Sequence, residues 1–365
     1  MTRQPDQLLQ VRNLSKSFVG VKALDQVQLD LKKGEVHAVM GENGAGKSTF
    51  MKLLMGLLSP DSGEIWLEGE MLKNADVNET LKRGISMIHQ EMLVVPELTV
   101  AQNIFLGREK TNWLPFWLDD TRTNAQAEAI LQQMGVDIAP TTLLKHLSVA
   151  EMQMVEIAKA ISNNAKVIIM DEPTSAISDK EVATLFKIIK DLKQQGVGIL
   201  YISHKMDEIF QISDTITVLR DGQYIGTKPA SELDQPTLIS MMVGREITNL
   251  FPEIVPSKGE VVLSVKQLTR QGVFADITFE VRKGEVLGLA GLMGAGRTEL
   301  FECLMGIRNS YDGEVSLAGK PLTGRTVADR IAQGIMLVPE DRQQQGLVQT
   351  LSVASNITLA NLAKC

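Results

Sequence analysis

A glycine-rich octapeptide, Gly41-Glu42-Asn43-Gly44-Ala45-Gly46-Lys47-Ser48, returns in altered form as Gly291-Leu292-Met293-Gly294-Ala295-Gly296-Arg297-Thr298, displaced by 250 residues. The same displacement aligns Leu31-Lys32-Lys33-Gly34-Glu35-Val36 with Val281-Arg282-Lys283-Gly284-Glu285-Val286, and Leu54-Met55-Gly56-Leu57 with Leu304-Met305-Gly306-Ile307. It also aligns Gly84-Ile85-Ser86-Met87 with Gly334-Ile335-Met336-Leu337. Further on, Leu98-Thr99-Val100-Ala101-Gln102-Asn103-Ile104 matches Leu351-Ser352-Val353-Ala354-Ser355-Asn356-Ile357 after three extra residues. A unit this long is a duplicated domain and not a solenoid repeat, and a chain of 365 residues suits two domains. The stretch 251–259 holds two prolines and a glycine, which punctuate structure. The expected organisation is therefore a first domain over 1–245, a linker over 246–259 and a second copy over 260–365.

Short apolar runs alternate with helical spacing. Val36-His37-Ala38-Val39-Met40 reads as a strand feeding the glycine loop, and residues 47–58 carry apolar positions at helical spacing. Residues 85–88, 167–170 and 198–202 read as buried strands, and 181–195 as a helix. Strands alternating with helices predict a largely parallel α/β sheet, whose ligands gather at the carboxyl ends of the strands.

Gly-x-x-x-x-Gly-Lys-Ser between a strand and a helix is a phosphate cradle: successive backbone N–H groups turn inward and the helix presents its positive end. On this reading Gly41, Glu42, Asn43, Gly44, Ala45, Gly46, Lys47, Ser48 and Thr49 bind the nucleotide, with Lys47 reaching the terminal phosphates and Ser48 ligating Mg²⁺. A chance glycine turn is the alternative, but the strand at 167–170 ends in Asp171-Glu172-Pro173-Thr174. Asp171 stands where an aspartate would hold the Mg²⁺ shell, and Glu172 where a general base would polarise water. Alone, such a pair is more often a solvated strand end. His204, after the strand at 198–202, is a candidate for the γ-phosphate or the catalytic water, and Gln90, after the strand at 85–88, for Mg²⁺ or the water. Phe18 is a candidate platform for adenine and equally a candidate core residue.

Composition narrows the partners. Net charge is −7 with no Lys/Arg-rich block, which argues against nucleic acid. Two cysteines, Cys303 and Cys365, fit a reducing compartment. Neither a signal peptide nor an apolar run of about 18 residues is evident.

Leu147-Ser148-Val149-Ala150-Glu151 ahead of Asp171-Glu172-Pro173-Thr174-Ser175 resembles the signature and Walker B region of an ABC-type ATPase. Residues 175–179 resemble its D-loop, and His204 its switch histidine. The tandem arrangement, with Met154-Val155-Glu156-Ile157-Ala158-Lys159-Ala160, Tyr201-Ile202-Ser203-His204-Lys205 and Pro339-Glu340-Asp341-Arg342, resembles the fused ATPases of bacterial monosaccharide importers of the ribose, galactose and xylose type. The resemblance implies a P-loop NTPase with a RecA-like core, an antiparallel β subdomain and a helical subdomain over 98–145. It implies ATP and Mg²⁺ as ligands and a place for Ser148 on the facing nucleotide. It further implies membrane permease subunits, a periplasmic or extracellular sugar-binding protein in the same system, and a peripheral position on the cytoplasmic membrane face. Homodimerisation through two first domains is a further expectation. Val149 and Ala150 replace the two glycines usual in the signature, and each Cβ is expected to crowd the approach to a phosphate.

The second copy departs from the first. Arg297 replaces Lys47, Glu340 replaces Gln90, and no aromatic falls at the Phe18 position. By the same displacement, a second signature and a second Walker B would fall beyond Cys365. The expectation is an incomplete, degenerate second copy in a truncated product or fragment. The favoured reading is an ATPase energising sugar import; the alternative is a hydrolysis-deficient nucleotide-binding remnant. A tandem ABC protein acting on ribosomes or DNA is disfavoured by the acidic balance.

Overall fold

The computed structural model describes residues 6–73, 75–89, 94–109, 118–175, 177, 179–245, 259–292, 294–323, 326–339 and 345–359. The chain divides into two compact units, Met1–Leu250 and Phe251–Cys365. Most of the expected linker, 246–258, lies outside the described residues, as do Gln90 and Glu340.

The first unit opens with a long hairpin, β1 (Gln7–Phe18) and β2 (Val21–Lys32), then β3 (Val36–Met40) and α1 (Lys47–Leu54). Next come β4 (Ser62–Leu67), β5 (Glu70–Met71), α2 (Val77–Arg83), β6 (Ile85–Ile88), α3 (Val100–Ile104), α4 (Asp120–Gln133) and α5 (Val149–Ser162). The unit closes with β7 (Val167–Asp171), α6 (Asp179–Gln194), β8 (Gly198–Ile202), α7 (Met206–Ile212), β9 (Thr215–Arg220), β10 (Gln223–Pro229) and α8 (Gln235–Val243). The strands hydrogen-bond in the order β5-β4-β1-β2-β10-β9-β3-β8-β7-β6. The run β9-β3-β8-β7-β6 is parallel throughout, the run β5-β4-β1-β2 is antiparallel, and Gln223 opposite Asp25 joins them. This is the α/β architecture expected, with a parallel core, an antiparallel sheet and a helical region of α3, α4 and α5.

The parallel strands are buried on both faces, so their sequences are largely apolar, with His37, Ser86 and Thr217 as buried polar exceptions. Along β7, Ile168 and Met170 enter the core under the helices while Val167 and Ile169 enter the core facing the antiparallel sheet. Along β8, Ile199 and Tyr201 take the first side, Leu200 and Ile202 the second. Each fully buried aliphatic side chain contributes about 1.5–3 kcal/mol of transfer free energy. One expectation needs correction: the helix from Lys47 stops at Leu54 and does not reach 58. Gly56 takes φ +70°, and the Leu57 and Leu58 N–H groups turn back to the Lys52 carbonyl.

The second unit contains β11 (Val261–Arg270), β12 (Phe274–Arg282), α9 (Arg297–Met305), β13 (Asp312–Leu317), β14 (Lys320–Pro321), α10 (Val327–Ala332) and α11 (Val353–Thr358). Its antiparallel sheet runs β12-β11-β13-β14 over a small core of Val265, Leu268, Leu300, Leu304 and Val315. Among the described residues, 286–290 and 335–339, the counterparts of β3 and the β6 region, join no sheet.

Candidate active site

Three adjacent parallel strands deliver the candidate residues to one edge. β3 ends at Met40 and runs into the glycine loop; β7 ends at Asp171, followed by Glu172; β8, between them, ends at Ile202, followed by Ser203 and His204. The register pairs Asp171 with Ile202, which sets the acid pair beside the histidine loop.

The loop wraps tightly against β2 and the turn before β10. Gly46 precedes α1 at φ +98°, and a Cβ there would lie 2.6 Å from the Ala23 carbonyl oxygen and 2.7 Å from Leu24 Cδ2. Only glycine fits both demands. Ala45 is buried, its N–H donating to the Glu42 carbonyl at 3.1 Å, whereas Glu42, Asn43, Gly44 and Ser48 are exposed and Thr49 half-buried. Gly46 offers α1 no side-chain cap, which leaves the helix end to a ligand. The Lys47 ammonium bends back over the loop, donating to the carbonyls of Gly41 at 2.7 Å and Glu42 at 3.0 Å.

Charge is concentrated here. Burial lowers the Lys47 pKa, opposed by the nearby Glu172 and Asp171 carboxylates. Burial raises the Asp171 pKa, Glu172 reinforces the rise, and Lys47 opposes it. Glu172 sits at φ +48°, a left-handed conformation that a non-glycine residue adopts only when its surroundings impose it. Its N–H donates to the Ile202 carbonyl at 2.9 Å, and its Oε1 lies 3.1 Å from Nδ1 of the exposed His204.

Phe18 ends β1 and is 46% exposed, with Lys16 Nζ 5.9 Å from the ring centre, so the core alternative for it is excluded. Ser148 caps α5: its hydroxyl accepts from Glu151 N–H, and the Glu151 carboxylate accepts from Ser148 N–H at 2.7 Å. Behind it, Val149 is 39% exposed but Ala150 only 7%, so of the two Cβ groups expected to crowd a phosphate only that of Val149 stands at the surface. Arg297 is exposed at the start of α9, after Gly296 at φ +83°.

Sequence reasoning passed over one residue. Glu208, four positions after His204, is buried, and its carboxylate collects the hydroxyls of Thr174, Tyr201 and Ser203 together with the Lys205 ammonium. The clue was present: Thr174 and Ser203 flank Glu172 and His204 in the quoted motifs. A cavity of about 690 Å³ opens elsewhere, lined by Met55, Lys82, His89, Arg108, Glu156 and Lys159 among others.

A glycine cradle after one strand, paired acids after another and a histidine after the strand between them define the class of P-loop nucleoside triphosphatases. A family model described as ABC transporter matches residues 24–175 and 274–364. The chain belongs to the ABC transporter family and is an ATP-binding ATPase of it. It is 52% identical over 352 residues to a protein of Geobacillus kaustophilus named as a ribose/galactose/methyl galactoside import ATP-binding protein, covering 96% of this chain and 70% of that one. A similarly named protein of Rhizobium etli is 52% identical over 361 residues, covering 98% and 69%. Among solved structures, an ATP-binding cassette of an ABC transporter in its ADP conformation superposes with a TM-score of 0.58 at 27% identity, covering 66% of this chain and 99% of that one. A nucleotide-free cassette gives 0.58 at 26%, covering 68% and 100%. No helix among the described residues is long and apolar enough to cross a membrane.

Proposed function

We propose that this chain binds and hydrolyses ATP to energise the import of a monosaccharide through a membrane permease. The observation that carries the reading is half-identity, over nearly the whole chain, to proteins named as sugar-import ATP-binding proteins, supported by the approach of His204 to Glu172 in the first unit. The proposed organisation is a complete ABC domain over 1–245, a linker over 246–259 and a degenerate copy over 260–365.

The triphosphate lies in the loop 41–49, and Lys47 exchanges its two carbonyl partners for the terminal phosphate oxygens. Glu172 accepts a proton from the attacking water, and His204 holds the Glu172 carboxylate in place. Phe18 offers an exposed ring to adenine. Ser148 and the first turn of α5 serve the γ-phosphate of a facing nucleotide.

The residues present fit Mg²⁺. Asp171 and Glu172 are adjacent carboxylates near the Lys47 ammonium, and the burial that raises the Asp171 pKa, reinforced by Glu172, is a cost that a bound cation would offset. Ser48, Asp171 and Gln90 would hold the ion, which uses few protein ligands alongside substrate phosphates. When bound, it neutralises phosphate charge during transfer.

The permease is proposed to dock in the groove lined by α2, residues 106–108 after α3, and α5, beside His89, with a sugar-binding protein completing the system. The chain is then peripheral on the cytoplasmic face, and a nucleotide-dependent homodimer is the proposed active assembly. The deciding experiment is steady-state ATP turnover, with and without permease, against Glu172→Gln. Turnover in the wild type well above that of the variant, stimulated by permease, is expected; equal rates would sink the reading.

A further inference from the structure

We infer that Glu208 is a positioning residue of the hydrolysis site, whose carboxylate ties the loop carrying Glu172 to the loop carrying His204. The inference rests on the proposed role of Glu172 as general base. Thr174, two residues after Glu172, donates its hydroxyl to Glu208 Oε2 at 2.7 Å. Ser203, immediately before His204, donates to the same oxygen at 3.2 Å. Tyr201, inside β8, donates to it at 3.1 Å. The other oxygen, Oε1, is 3.1 Å from Lys205 Nζ, and that ammonium crosses back to the Thr174 carbonyl at 3.0 Å. Lys205 N–H in turn donates to Ser203 Oγ at 3.0 Å, which closes the histidine loop on itself.

Every donor in this knot belongs to one of the two loops or to β8, the strand that leads into the histidine loop. Burying a carboxylate for stability alone is a poor choice, because an apolar side chain of similar size usually does as well. What a many-armed acceptor supplies is fixed geometry. Glu172 needs it: its backbone is held at φ +48°, with its N–H donating to the Ile202 carbonyl at 2.9 Å and its own carbonyl accepting from the Ser175 N–H at 3.2 Å. The Thr174–Glu208 bond anchors the far side of the same turn. Releasing it lets the turn relax, and the 3.1 Å approach of Glu172 to His204 is then lost.

The test compares Glu208→Ala, Glu208→Gln and Thr174→Val in the full chain, each also in a Glu172→Gln background, by ATP turnover and by calorimetric affinity for Mg-nucleotide. Glu208→Ala is expected to lower kcat by roughly 10- to 100-fold, with nucleotide affinity held within about twofold. Glu208→Gln keeps an acceptor oxygen for the Thr174 and Ser203 hydroxyls and recovers part of the loss. The near-isosteric Thr174→Val shows a smaller loss of the same kind, and carries the test if Glu208→Ala does not fold. In the Glu172→Gln background none of the three lowers the residual turnover further. The inference is overturned if kcat and affinity fall together, if Gln is no better than Ala, or if the losses multiply with Glu172→Gln. Wild-type turnover in Glu172→Gln alone would overturn the general-base reading and this inference together. Loss there, with Glu208→Ala unimpaired, would overturn this inference only.

Discussion

Glu35 accepts a hydrogen bond from the Lys32 N–H at 2.7 Å; in the second unit Glu285 accepts one from the Arg282 N–H at 2.6 Å. Asn103 clasps the backbone of Val95 with bonds of 2.9 and 3.1 Å, and Asn356 clasps that of Val348 with bonds of 2.9 and 3.0 Å. Gly46 and Gly296 both enter their helices in the left-handed conformation. One residue after the matching glutamates the likeness ends. Val36 is 1% exposed, inside a strand hydrogen-bonded on both sides, while Val286 is 97% exposed and in no strand. Turns, caps and helix starts arise from residues close in sequence, so both copies form them. A buried parallel strand needs partners from far along the chain; β3 takes β8 and β9. Among the described residues the second unit has no counterpart of either.

The comparison breaks most visibly at the phosphate loop. Lys47→Ala is expected to lower ATP turnover by about 10²–10³-fold, in the manner of removing one transition-state donor. Arg297→Ala is expected to change it by less than about threefold. A large effect of Arg297→Ala in the same assay would show that the second loop hydrolyses after all. Next in size is the strand pair. Val36→Asp buries an unpaired charge and should cost several kcal/mol, whereas Val286→Asp should lie within about 0.5 kcal/mol. Hydrogen exchange of the amides in each unit reads both; comparable losses of protection would mean that 286–290 is held in a sheet.

The local clasps sharpen the contrast at smaller scale. Asn103 is 2% exposed, so Asn103→Ala empties a buried position and removes part-buried bonds to Val95, and should cost about 1–3 kcal/mol. Asn356→Ala removes bonds that already lie at the surface and should cost about 1 kcal/mol or less. Thermal melts followed in each unit discriminate the two. The smallest effect concerns His37, whose counterpart is Leu287. His37 is buried, with Nε2 2.6 Å from Thr217 Oγ1, and burial lowers its pKa below the ordinary 6.5 despite Glu35 and Asp30. The unfolded chain takes up this proton first, so the His37 contribution to stability is fully present above pH 6.5 and is lost as the pH falls below it. The slope is at most about 1.4 kcal/mol per pH unit. His37→Leu should flatten it in denaturation between pH 7 and 5, because Thr217 keeps its bond to Thr227.

Much of the site was legible because each motif carries its own local geometry. The octapeptide 41–48 with its strand and helix, the strand ending in Asp171-Glu172, and the strand before His204 lie where periodicity and glycine chemistry predict. The end of α1 was misjudged because Leu57 and Leu58 continue the apolar spacing past a left-handed glycine. Val149 and Ala150 read alike as added methyls, yet, turned about 100° from each other at the helix start, one is exposed and the other buried.

Residue order alone determined the duplication, the nucleotide chemistry of the first copy, the loss of Lys47 from the second and the strand–helix alternation. Those properties reside in windows of a few residues, where spacing and side-chain type suffice. Only the tertiary structure decided that Phe18 faces solvent, that His204 meets Glu172, and that Glu208 gathers Thr174, Tyr201 and Ser203. These relations join segments whose proximity is set by strand pairing, in particular by β8 inserting between β3 and β7. Pairing is a competition among distant strands for buried hydrogen bonds, and no single stretch of sequence states its outcome.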